Sequence, residues 1–118
     1  MNATIRFMMK QSELNTFKRK YFDLSKRIIK NAIIHDSNVS KEHRFLVVSI
    51  CEWLRDNKID FYTRVYTKWG EIIDIVAPDL PQPFIEVRHS EKEKDKKYDS
   101  EYDHLRMFVD TDDPFKLM

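Results

Sequence analysis

Two acidic side chains interrupt runs that are otherwise aliphatic. Asp74 lies within Glu71-Ile72-Ile73-Asp74-Ile75-Val76-Ala77, and Glu86 lies within Phe84-Ile85-Glu86-Val87-Arg88. An ionised carboxylate in such company is costly unless a cation or a hydrogen-bond donor meets it. Both runs have strand composition, and period-two alternation sends Glu86 and Arg88 to one face while Ile85 and Val87 take the other. Paired as an antiparallel hairpin, with neighbouring strands about 4.8 Å apart, the two runs bring Asp74 and Glu86 within reach of one metal ion. Mg²⁺ or Mn²⁺ suits that chemistry, since hard dications favour oxygen ligands and Mg²⁺ retains water. Two carboxylates and the backbone carbonyl of Val87 would suffice, with a substrate phosphate completing the shell. Arg88 then stands where a cation orients water or stabilises charge developing on phosphate. The same three residues also satisfy a structural reading, a cross-strand ion pair with no catalysis.

Other chemistry-bearing residues form weaker patterns. Alternation points His89 away from Glu86, and His35, His43 and His104 have no ligand spacing. Asp110, Asp112 and Asp113 resemble part of a calcium loop, but its glycine and terminal glutamate are missing, so an end-of-strand turn fits better. Cys51 falls between core positions of a helix, the setting of a buried, inert thiol.

The elements that must position Asp74 and Glu86 follow from periodicity. Leu14, Phe17, Tyr21, Leu24 and Ile28 recur at spacings of three and four, which predicts a long amphipathic helix over residues 12–34 with Lys18, Arg19, Lys20, Lys26, Arg27 and Lys30 on its remaining faces. Ser40 is a good N-cap for a second helix running to about Asn57, with Leu46, Ile50, Trp53 and Leu54 as its buried stripe. Glu42, four residues before Leu46, is placed at the amino end of that stripe and facing inward; an alternative is a favourable interaction with the helix dipole. Three strands are expected at 61–67, 71–77 and 84–89, joined by the Lys68-Trp69-Gly70 loop and the proline-rich 78–83 connector. The charged stretch 90–104 reads as a surface helix or a loop anchored by Tyr98 and Tyr102, residues 105–109 as a further strand, and 114–118 as an apolar tail.

Asp74 followed by Glu86-Val87-Arg88 on the next strand resembles the D…(D/E)xK signature of the PD-(D/E)XK nuclease superfamily, the restriction-endonuclease-like fold. The order over residues 40–110 is similar to that family's core: a helix, a three-stranded meander, another helix and a further strand. The extra N-terminal helix would be added to that α/β (α+β) core. The resemblance implies a divalent-metal-dependent DNA endonuclease, similar to small archaeal or viral members and to Holliday junction resolvases, with branched or duplex DNA as substrate and a homodimer as the assembly. It implies catalytic roles for Asp74, Glu86, Arg88 and Glu42, with Glu42 joining Asp74 and Glu86 at the metal. The expected backbone-phosphate contacts are Arg64, Lys68, Lys92 and Lys94, together with the basic residues of the first helix. The sequence departs from the pattern at Arg88, which stands where the family has lysine: arginine keeps the charge but does not readily serve as a base. The alternative is a decayed nuclease fold that binds nucleic acid or a protein without cutting.

Composition sets the outer limits. The 118 residues suit a single domain, and 42% hydrophobic against 35% charged residues suits a globular chain. With 21 basic and 20 acidic side chains the net charge is +1, so any nucleic-acid contact must rest on local patches. A single glycine, Gly70, argues against a glycine-rich nucleotide loop. One cysteine and the lack of a long apolar run lead to the expectation of an intracellular protein with no membrane association.

Overall fold

The computed structural model describes residues 10–35, 38–88 and 102–111. Within them helix α1 spans Gln11–Tyr21 and α2 Lys41–Asp56, and strands β1 to β4 span Tyr62–Tyr66, Ile72–Val76, Phe84–Arg88 and Arg106–Asp110. The architecture is mixed α+β, with a four-stranded sheet in the order β1-β2-β3-β4. The first three strands form an antiparallel meander, and β4 runs parallel to β3. A parallel neighbour requires a crossover connection between β3 and β4. The expectations for His89, Lys92, Lys94, Tyr98 and the 114–118 tail fall outside the described residues; the connection ends in a short 3₁₀ turn, Asp103–Leu105.

Helix α2 starts where its cap predicts. The Ser40 hydroxyl accepts the His43 N–H at 3.1 Å, satisfying one of the first-turn donors. At the other end Lys58 takes a left-handed φ of 57°, its N–H donates to the Arg55 carbonyl, and the Ile59 N–H donates to the Leu54 carbonyl, which together close a Schellman motif. The buried arc of α2 is His43, Leu46, Val47, Ile50, Cys51 and Leu54, packed through Ile75, Ile85, Val87 and Val109 onto one face of the sheet. Phe22, Tyr62, Val65, Ile73, Val76 and Phe84 form a second cluster on the other face, where Phe17 and Tyr21 of α1 meet Phe84 at ring separations of 6.2 and 5.3 Å.

The predicted helix over 12–34 is corrected: α1 ends at Tyr21. Phe22 is extended and bridges Thr67, and the Asp23 N–H donates to the Tyr66 carbonyl at 2.9 Å. Asp23 then closes a turn by accepting the Ser25 N–H at 3.0 Å and its hydroxyl at 2.6 Å, bonds that hold its carboxyl below the ordinary value. Further along, Asn31 at φ 61° donates its N–H to the Phe61 carbonyl at 2.8 Å and accepts the Phe61 N–H on its side chain at 2.9 Å. Thr63 donates its hydroxyl to the Ala32 carbonyl at 2.7 Å and accepts the Ile34 N–H at 2.8 Å. Residues 22–34 therefore run as a strap along the outer edge of β1, meeting polar groups that an open edge strand would leave exposed. Leu24, expected on the buried stripe, is 54% exposed.

Candidate functional site

The β2–β3 ladder pairs Ile75 with Ile85 and Val76 with Phe84 and then stops. At the next position the two acids take over. The Asp74 N–H donates to Glu86 Oε1 at 3.0 Å, and the Val87 N–H donates to Asp74 Oδ2 at 2.8 Å. Each carboxylate thus stands in for the carbonyl that a continuing ladder would have presented, and hydrogen bonds to charged acceptors are the stronger kind. Glu86 is buried at 5% exposure while the Asp74 side chain keeps 26%, so the pair runs from the interior to solvent. Beyond this fork β3 is paired on its other side, Glu86 with Phe108, Val87 with Val109 and Arg88 with Asp110.

A second irregularity faces Asp74 from β1. The register pairs Thr63 with Ile75 and Val65 with Ile73, which leaves Arg64 opposite Asp74. Arg64 has φ 51°, a left-handed conformation that is rare for a non-glycine residue in mid-strand and costs on the order of 1–3 kcal/mol. Its effect is a change of face. Tyr62 and Val65, three apart, both enter the α1-side cluster, and on β2 Ile73 and Ile75, only two apart, enter opposite clusters. Both strands fault at the Arg64–Asp74 position, and Asp74 turns toward α2.

There it meets His43, whose Nε2 is 3.4 Å from Asp74 Oδ2, within ion-pair range when the imidazole is protonated. Both residues line a pocket of about 140 Å³ with Arg44, Arg64 and apolar walls that include Val39, Val47 and Ile72. Arg44 is anchored by donating from Nη1 to the Val39 carbonyl at 2.8 Å.

The remaining expected site residues are placed differently. Glu42 is exposed, and the inward orientation expected of it belongs to His43 at 7% exposure. The reason is angular: the buried arc centres on Val47, Ile50 and Leu54, and Glu42 lies about 100° round the helix from that centre. His43 shares the three-and-four spacing of Leu46, Val47 and Ile50, the one signal in the sequence that places it on the buried face, and it has no ligand spacing to the other histidines. Arg88 forks onto Asp110, with Nε to Oδ1 at 2.8 Å and Nη2 to Oδ2 at 3.3 Å, and its guanidinium lies 4.4 Å from the Phe108 ring centre. Lys68 is exposed at the β1–β2 turn, whereas Arg64 borders the pocket. Among the basic residues expected on the first helix, Lys18 lies over the Tyr62 ring and Lys26 over the Tyr66 ring.

Among the described residues no three His, Cys, Asp or Glu side chains converge as a metal-binding group. None of their helices is long and apolar enough to cross a membrane. Comparison with protein-family models, with curated proteins and with solved structures found no match.

Proposed function

We propose that the protein is a divalent-metal-dependent DNA endonuclease, with Asp74 and Glu86 as the carboxylates that would hold Mg²⁺ or Mn²⁺. The observation that carries this reading is the fork itself: two acids on adjacent strands, each fixed by the other strand's amide where the ladder opens. A fixed carboxylate pair suits Mg²⁺, which characteristically takes one or two protein carboxylates and keeps water and substrate phosphate for its other positions. Such an ion would supply charge neutralisation at phosphate and a water of lowered pKa.

The chain's own contribution is position. The Val87 and His43 contacts fix the Asp74 carboxylate, while the Asp74 amide fixes that of Glu86. Each group has a second oxygen beyond the one bonded to the neighbouring strand. A helix followed by a three-stranded meander, with a further strand parallel to the third, is the part of the described fold that supports this reading.

The engagement of Arg88 with Asp110 favours a second reading, a nuclease-like fold that binds nucleic acid or a protein without cutting. The deciding test is cleavage of supercoiled plasmid and of a synthetic four-way junction with Mg²⁺ or Mn²⁺ against EDTA. Metal-dependent cutting that disappears in Asp74→Asn supports the endonuclease; a folded wild type that cuts neither substrate supports the binding protein.

A further inference from the structure

The geometry points to Arg64 as the residue that contacts the substrate phosphate: held in a left-handed backbone conformation opposite Asp74, it lines the pocket that opens beside the carboxylate fork. This inference rests on the phosphodiesterase reading of Asp74 and Glu86; it narrows the backbone-phosphate contact expected of Arg64 to the phosphate beside the carboxylates, the position the resemblance assigns to Arg88.

The backbone at Arg64 and the lining of the pocket converge on it. Regular alternation from Tyr62 would place Arg64 with the α1-side aromatic cluster; the positive φ instead accompanies the change of face that leaves Arg64 at the pocket. A strained conformation persists only where its surroundings over-determine it, and the flanking Thr63–Ile75 and Val65–Ile73 pairs do so here. The pocket also has the chemistry of an anion site beside a metal carboxylate. Arg44 and Arg64 line it together with Asp74, and a guanidinium fork matches phosphate oxygens two at a time. Its apolar walls, Val39, Val47 and Ile72, lower the local dielectric and strengthen such contacts.

Size narrows the ligand. Sites for drug-sized molecules and cofactors run to about 300–1,000 Å³, and this one is about 140 Å³. It suits a single backbone phosphodiester, entered from a chain lying across the surface. Arg88 is turned to Asp110 and stacked on Phe108, so its planar fork is already matched to a carboxylate.

The test compares wild type, Arg64→Gly, Arg64→Lys and Arg88→Ala. Glycine tolerates the left-handed conformation, so Arg64→Gly deletes the side chain while relieving the backbone, and its melting temperature is expected to equal or exceed that of wild type. Metal-dependent cleavage should fall by about 10²- to 10³-fold in kcat/KM, more than in Arg88→Ala, with partial recovery in Arg64→Lys. In EDTA, anisotropy of a short fluorescein-labelled DNA duplex across a salt series should show the log–log slope reduced by about 1 in Arg64→Gly. If wild type cuts and Arg64→Gly cuts and binds equally well, the Arg64 inference is wrong and the nuclease reading stands. If wild type binds without cutting and Arg64→Gly still loses that unit of slope, the nuclease reading falls and the phosphate contact stands. Wild type that neither cuts nor binds overturns both.

Discussion

The Asp74 amide donates to the Glu86 carboxylate at 3.0 Å, and the amide following Glu86 donates back to Asp74 at 2.8 Å, so each acid completes the other's strand. The two residues proposed for chemistry are therefore also structural, and substitutions must separate these roles.

Asp74→Ala removes the acceptor for the buried Val87 N–H and is expected to destabilise the fold by about 1–3 kcal/mol, whereas Asp74→Asn retains a carbonyl oxygen for that bond and should cost less than about 1 kcal/mol. Both should lose metal-dependent cleavage. Urea titrations beside the plasmid assay check this, and full cleavage by Asp74→Asn would remove Asp74 from the site.

Arg88 and Asp110 join the parallel strands β3 and β4 through a two-pronged contact, with side chains 21% and 23% exposed. Partial burial places the pair between weak surface bridges and buried ones, and a double-mutant cycle with Arg88→Ala and Asp110→Ala should give a coupling of about 1–2 kcal/mol. A coupling near zero would mean that the contact does not brace the sheet.

Arg106 is the most completely buried cation among the described salt bridges, with 0% side-chain exposure, paired to Glu71 and to Asp103 at 3.1 Å. Removing one partner leaves a charge in the interior, so Glu71→Ala should cost about 3–5 kcal/mol. Chemical denaturation measures it, and a loss below about 1 kcal/mol would show that Asp103 or water compensates.

Burial pushes the Cys51 thiol up to about 12, from an ordinary value of 9.0. The unfolded chain loses this proton first. The resulting stability is thus fully present below about pH 9 and declines as pH rises from there toward 12, by about 1 kcal/mol per pH unit. Cys51→Ala should start less stable through the space it leaves, yet lose stability more slowly over that interval. Parallel alkaline slopes for the two proteins would contradict the assignment.

Local chemistry made the strands, the Ser40 cap and the two out-of-place acids legible, because alternation, capping and the cost of a carboxylate among aliphatic residues are properties of a few neighbouring positions. The predicted first helix failed beyond Tyr21 for the complementary reason. Its apolar spacing is helical, but residues 22–34 meet the hydrogen-bonding edge of β1, and that distant partner outweighs local periodicity.

The site divides along the same line. Sequence placed Asp74 and Glu86 on neighbouring strands. Only the tertiary structure decided that each would bond the other's backbone, that His43 rather than Glu42 would face Asp74, and that Arg88 would turn to Asp110. These outcomes depend on strand register and on a change of face at Arg64, which are fixed by contacts between segments far apart in the chain, so no window of neighbouring residues contains them.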